Sequence, residues 1–374
     1  MTEPRTLPPF ASDNYAPVHP DVLAAVAAAN DGYAVAYGDD PWTARLDLRV
    51  REVFGAGALA FPVLNGTGAN VVSLTALSPR WGGVVVSDVA HVNTDENGAP
   101  ERVGGLKLLA CPSVDGRITP DDVARWAGQR DDVHRAHPAV LSLTQSTELG
   151  TVYPLEDLRA LTQVAHELGM AVHVDGSRLA NAAASLGCSL RALTTDAGVD
   201  VVSLGAAKNG GMLGEAVLVL GPDDAPDAAS ARSRETAAAA VPFLRKASMQ
   251  LASKTRFVSA QLLALLGDPD DAAGDDEPLW HRNAARSNAM ATRLRAGLEG
   301  LGGDVVRVTR PTEANAVFAT LPRAAADRLR AVARFYDWAD GETPDRVEVR
   351  LMCSWDTAPE TVDAFVTAAA DAAA

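Results

Sequence analysis

Apolar and polar positions alternate along the first two-thirds of the chain in a strand–helix–strand rhythm. Val84, Val85 and Val86 form an apolar run that closes on Ser87 and Asp88, and residues 139–143 form a second that leaves Thr144 to Thr147 at its end. Leu155, Leu158, Leu161, Val164, Ala165 and Leu168 recur at helical spacing, with Gly169 where a C-cap belongs. A strand is expected directly afterwards, over 170–174, ending at Asp175. Two more are expected over 201–204 and, past a Gly-rich turn, over 215–220. Residues 221–231 are rich in Pro, Asp and Ala and are expected to form a surface loop. Beyond them lies the acidic stretch 267–277 (GDPDDAAGDDE), then a long helical segment over 280–298. Strand-like segments follow at 315–321 and 347–353, with a helix over 325–335 between them.

Short apolar strands alternating with helices define an α/β class: a mostly parallel sheet with helices on both faces, followed by a small α+β domain. The division is placed at 1–255 and 256–374. In such sheets ligands bind beyond the carboxyl ends of the strands. Asp88, the segment Thr144 to Glu148, Asp175 and Lys208 all fall at those ends, which makes them site candidates without further knowledge.

Composition narrows the classes of partner. A formal net charge of -15 argues against nucleic acid and anionic membrane surfaces. No apolar run approaches the length that spans a bilayer, and the polar, proline-rich residues 1–9 do not read as a signal peptide. Three scattered cysteines suit a reducing cytoplasm and offer neither a disulfide framework nor a metal site. The four lysines, Lys107, Lys208, Lys246 and Lys254, stand against twenty-nine arginines, so candidates for a nucleophilic amine are few.

Four segments carry candidate chemistry. Asn65-Gly66-Thr67-Gly68-Ala69-Asn70 opens a helix over 71–77, and the free amides and positive dipole end of such a turn suit a phosphate; a plain structural turn has the same form. His173-Val-Asp-Gly-Ser-Arg-Leu179 sets Asp175 at a strand end, where a carboxylate can keep a pyridine nitrogen protonated, with Arg178 three residues on; a capping Asp and a surface Arg are the plainer alternative. Ser203 to Gly211 surrounds Lys208 with small residues, leaving room for a planar ligand beside an amine that sheds its proton readily. His91, beyond the strand ending at Asp88, can lie flat on such a ring or be an ordinary packed histidine. In the last part, Arg350 points to the face opposite Val347, Val349 and Leu351, suited to a carboxylate or to a surface ion pair.

Together these segments, with Phe10-Ala-Ser-Asp-Asn14, Tyr37-Gly-Asp-Asp-Pro41 and Val349-Arg-Leu351, resemble the threonine aldolase group of fold-type I pyridoxal-phosphate (PLP) enzymes within the β-eliminating lyase family. The matches run in order from residue 10 to about residue 355. The resemblance implies a large domain built on a mostly parallel seven-stranded sheet. It implies that Lys208 holds PLP as a Schiff base, that Asp175 pairs with the pyridine nitrogen, and that Arg178 contacts the ring oxygen. It further implies His91 stacked on the ring, Gly66 and Thr67 on the phosphate with Lys254 as an additional contact, and Ser12 and Arg350 on the carboxylate of an amino-acid substrate. Many members carry a histidine after Glu-Asn-Thr; here Thr144-Gln-Ser-Thr-Glu148 puts Glu148 at about that place, so Glu148 is the candidate base at the substrate hydroxyl. The expected reaction is cleavage of L-threonine, L-allo-threonine or a related β-hydroxy-α-amino acid to glycine and an aldehyde, in a cytoplasmic homo-oligomer, dimer or tetramer. The alternative is another PLP-dependent reaction of the same fold, β-elimination or racemisation. A non-catalytic protein that keeps the fold is a third reading, against which the intact Lys208 stands.

Overall fold

The computed structural model describes residues 7–268 and 277–373. Of the acidic stretch expected to be a solvated insertion, residues 269–276 lie outside the described residues. Seven strands build the large sheet: β1 (Leu59–Val63), β2 (Gly82–Ser87), β3 (Lys107–Cys111), β4 (His137–Thr144), β5 (Ala171–Gly176), β6 (Val201–Leu204) and β7 (Glu215–Val219). Their order is β1-β7-β6-β5-β4-β2-β3. The pairs β2–β3, β2–β4, β4–β5 and β5–β6 are parallel, and only β7 runs against its neighbours.

The central strands are short Val- and Leu-rich runs buried on both faces, as a parallel sheet sandwiched between helices requires. The connecting helices begin where the sequence supplies a cap. Asn65 takes the Gly68 N–H at 2.8 Å, Asp40 takes that of Thr43 at 2.9 Å, and Thr119 and Asp122 form a reciprocal capping box. Gly169, at φ +70°, follows the helix Leu155–Glu167 and turns the chain into β5. The chain leaves β2 toward β3 on one side and leaves β4 toward β5 on the other. The loops after β2 and β4 therefore part at the same point of the sheet, the crevice where this architecture places ligands.

The smaller sheet is antiparallel, in the order β10-β11-β9-β8, from β8 (Arg307–Val308), β9 (Ala316–Pro322), β10 (Tyr336–Asp340) and β11 (Arg346–Met352). Its core joins Val317, Val349 and Leu351 to Leu294, Leu298 and Phe365 and also takes in Phe10, whose ring lies 4.6 Å from that of Phe365. The N-terminal segment is thus stitched into the C-terminal domain. Val258, Leu262, Leu263 and Leu266 of the helix Arg256–Leu266 pack in the large core. Leu279 belongs to the core of the large sheet and Ala291 and Leu294 to that of the small one, so the helix Leu279–Glu299 contributes to both.

Two local expectations are corrected. The stretch expected to be a loop over 221–231 is interrupted at Asp227, which caps the helix Ala228–Ala247 through the N–H groups of Ala229 and Ser230. The helix expected over 325–335 is Arg323–Arg330, and the chain then turns into the edge strand β10, whose mostly exposed residues give no apolar alternation to read. Among the described residues no helix is long and apolar enough to cross a membrane.

Candidate active site

Asp175 is the residue before the last of β5, opposite Thr144 in the β4 register, and the Gln145 N–H donates to the Asp175 carbonyl at 2.9 Å. The carboxylate is buried and well bonded. Oδ1 accepts from the Ser177 N–H at 3.0 Å and the Ser177 hydroxyl at 2.6 Å, while Oδ2 accepts from Asn70 Nδ2 at 2.9 Å. Burial opposes its charge, but Lys208 and these donors outweigh burial and hold the carboxyl below its ordinary range.

Lys208 sits in the tight turn Ala207–Asn209 after β6. Burial, with Arg178 nearby, lowers its amine pKa; Asp13, Asp175 and Glu215 act in the opposite sense. Small residues are a requirement of this turn: a Cβ on Gly205 would collide with the Ser177 carbonyl and lie 2.7 Å from its Cα. Glu215, buried at the start of β7, accepts the Ala206 N–H and so pins the turn from beneath. Burial raises its carboxyl to about 7.

Glu148 lies beyond β4. Its Oε1 accepts from Thr144 Oγ1 at 2.9 Å and from the His91 backbone N–H at 2.7 Å, so it bridges the two loops that diverge at the crevice. Its Oε2 is buried without a hydrogen-bond partner. Burial raises the carboxyl to about 7, against the pull of those donors.

His91 opens the short helix His91–Thr94, and its Nδ1 lies 2.8 Å from Glu96 Oε1. That bond raises the imidazole pKa against burial, with help from Asp175. Gly66 and Thr67 begin the helix Gly66–Leu77, so the helix starts at the Gly-rich segment itself, ahead of the expected 71–77.

Arg178 donates twice to Asp13, Nε to Oδ2 at 2.7 Å and a terminal nitrogen to Oδ1 at 2.9 Å. Asp13 also accepts from Asn315 Nδ2 at 3.1 Å and thereby links both domains. Ser12, adjacent, caps the turn Asp13–Tyr15, which packs against the Lys208 turn. Arg350 reaches this segment through the Ala11 carbonyl at 3.4 Å and lies over the Trp338 ring at 5.0 Å; its Nε is buried without a partner. Lys254 is exposed in the turn before Arg256–Leu266, next to Ser253, whose carbonyl holds the Tyr37 N–H at 2.9 Å.

The structure thus brings Lys208, Asp175, His91, Glu148, Arg178 and Arg350 to one crevice, linked by electrostatics or hydrogen bonds. Lys254 makes no described contact with that group. Sequence reasoning gave no individual role to Asn70, Glu96, Asp13 or Glu215. Asn70 did leave a signal, as a polar residue between Ala69 and Val71 in the helix Gly66–Leu77. Glu96 left none, because it lies between the short helices His91–Thr94 and Ala99–Arg102 and belongs to no periodic run.

A mostly parallel seven-stranded sheet with a small appended domain, carrying a half-buried lysine beside a buried, charge-stabilised aspartate at the strand ends, defines a fold-type I PLP enzyme. The residues suit that cofactor. A low-pKa carboxylate matches a pyridinium nitrogen, an amine of lowered pKa matches its aldehyde, and the Gly205 turn leaves no side chain in the way. The chain belongs to the β-eliminating lyase family, whose pattern matches residues 9–322. It is 41% identical over 355 residues to the low specificity L-threonine aldolase of Pseudomonas aeruginosa, covering 94% of each chain. It is 39% identical over 350 residues to that of a Pseudomonas species, covering 93% of each. Among solved structures, the threonine aldolase of Leishmania major superposes with a TM-score of 0.85 at 26% identity, over 98% of this chain and 99% of the other.

Proposed function

We propose that this chain is a carbon–carbon lyase that cleaves L-threonine, L-allo-threonine and related β-hydroxy-α-amino acids to glycine and an aldehyde. When bound, PLP supplies a protonated ring that accepts the electron pair left at Cα as the Cα–Cβ bond breaks. Lys208 would hold the cofactor's aldehyde carbon through its amine. Asp175 would face the ring nitrogen and favour its protonated form, since Lys208 and its hydrogen-bond donors hold the carboxyl below its ordinary range despite burial. Gly66 and Thr67 hold the phosphate from the helix terminus, Lys254 is a further contact for it, and Arg178 addresses the ring oxygen. His91 would lie against the ring. Arg350 and Ser12 fix the substrate carboxylate, which orients the breaking bond.

Glu148 takes the proton of the β-hydroxyl, so that the oxygen becomes the aldehyde carbonyl as the bond to Cα cleaves. What carries this reading is the placement of Glu148: held by Thr144 and His91 at the mouth of β4, beside Asp175, with a carboxyl poised near neutrality as a general base requires. β-Elimination and racemisation need no base at a hydroxyl.

Assembly with further copies of the chain, as a dimer or tetramer, belongs to the same reading, with exposed apolar side chains such as Tyr33, Phe243 and Met249 as candidates for burial there. The three free cysteines, Cys111, Cys188 and Cys353, support a cytoplasmic setting.

The test is steady-state assay of the PLP-loaded protein with L-threonine, L-allo-threonine and phenylserine, reading aldehyde and glycine. Equal amounts of both products are expected. Pyruvate from L-serine or L-cysteine, or D-alanine from L-alanine, with no aldehyde from any hydroxy amino acid, would overturn the aldolase reading.

A further inference from the structure

His91 Nδ1 meets Glu96 Oε1 at 2.8 Å, and the same carboxylate oxygen accepts from Asn70 Nδ2 at 2.8 Å. The second hydrogen of that amide goes to Asp175 Oδ2 at 2.9 Å. A carboxylate only accepts, so the Asn70 nitrogen must face both acids and His91 Nδ1 must carry a hydrogen. One unbroken chain of bonds therefore runs from the imidazole through Glu96 and Asn70 to Asp175.

The Glu96 side chain is fully buried, and its Oε2, like Asn70 Oδ1, has no hydrogen-bond partner. A fold gains nothing from such an arrangement, because an unpaired buried carboxylate oxygen is costly and a packed apolar residue would serve stability better. We propose that Glu96 is a positioning residue for His91: it holds the imidazole as the Nδ1–H form with Nε2 turned away from it, and through Asn70 it ties the orientation of the ring to Asp175. This rests on the reading of His91 as the residue packed against the cofactor.

The charged groups that act on His91 are Glu96, Asp175 and Lys208, while Glu148 accepts its backbone N–H. The Glu96 bond is the largest influence and favours the protonated ring; burial and Lys208 oppose it. Glu96 is thus the group whose removal moves His91 furthest.

The experiment is an NMR titration of the full-length, cofactor-free chain carrying 13C-labelled histidine, with the Cε1–H signal of His91 assigned by its loss in His91→Phe. In the wild type His91 is expected to titrate above the ordinary value of about 6.5. Glu96→Gln keeps an acceptor for both donors but loses the charge, and is expected to lower the His91 pKa by about one unit or more. The pH profile of kcat in the loaded enzyme should move in the same direction. Asn70→Ser cuts the tie to Asp175 while leaving the Glu96–His91 bond, so His91 should stay raised. A wild-type His91 titrating at or below about 6.5 overturns the proposal, even if Glu96→Gln yields no folded protein. So does an unchanged pKa in folded Glu96→Gln, or a fall in Asn70→Ser equal to that expected for Glu96→Gln. The titration consumes no substrate, so failure of the aldolase assay leaves it standing, and its own failure leaves the assay standing.

Discussion

Arg178 grips Asp13 with two parallel hydrogen bonds, at 2.7 and 2.9 Å, across 165 residues of sequence. Both partners are largely buried, so neither charge is easily lost alone. Asp13→Ala leaves the Arg178 cation unpaired and is expected to cost about 3–5 kcal/mol of unfolding free energy, read by urea denaturation. Asp13→Asn adds a pH signature. Arg178, Lys208 and Asn315 overcome burial and hold the Asp13 carboxyl below its usual 3.8. The stability it contributes is therefore present above that value and lost as pH falls through the lower folded pKa. The gap between wild type and Asp13→Asn should be full at neutral pH and close in acid; a gap independent of pH would show that the pair does not hold the charge.

Lys208→Ala removes the amine that anchors the cofactor. Borohydride reduction of the loaded wild type should place the pyridoxyl mass on the peptide containing Lys208, and the variant should show neither that adduct nor the visible absorbance band. An adduct on Lys107, Lys246 or Lys254 in the wild type would move the anchor elsewhere.

Glu148→Gln keeps the bonds from Thr144 and His91 but cannot take a proton. Loss of a positioned general base should lower kcat with L-threonine by about 10²- to 10⁴-fold. With the carboxyl at about 7, wild-type kcat should rise as pH passes through neutrality, and this limb should vanish in the variant. Stability should change with the opposite sign. A carboxyl whose folded pKa is raised favours the folded state below its unfolded value and loses that advantage as pH rises through about 7. Relative to wild type, Glu148→Gln should therefore gain stability between pH 5 and pH 8. Thermal unfolding of both proteins at the two pH values measures it.

Gly205→Ala places a methyl against the Ser177 carbonyl and 2.7 Å from the Ser177 Cα. Ser177 supplies two of the three described hydrogen bonds to the Asp175 carboxylate, so the push is felt at the cofactor's ring site. Overpacking should cost about 1–3 kcal/mol and weaken cofactor binding, read by thermal unfolding and by fluorescence titration with PLP. Unchanged values in both would mean that the turn yields freely.

The central strands β2, β4, β5 and β6 were legible from the chain because their apolar runs are short, β-branched and bounded by turn residues. Lys208 and Asp175 were legible because each stands at the end of such a run. The edge strand β10 was not legible, since its side chains are mostly exposed and carry no alternation. The helix Ala228–Ala247 was hidden by its polar, Pro- and Asp-rich entry.

The sequence by itself determined the sheet, the small residues around Lys208 and the acid at the end of β5, because these depend on local pattern and on which side chains the backbone tolerates. Only the tertiary structure decided what each charge faces. Asp13 closes on Arg178 because Phe10 docks the N-terminal segment in the small-domain core, and Glu148 sits at the amide of His91 because the loops after β2 and β4 part at one point of the sheet. Asn70 joins Glu96 to Asp175 because its helix packs against β4 to β7. Such pairings span 26 to 165 residues of sequence and carry no periodicity, so only the folded chain brings them within hydrogen-bond range.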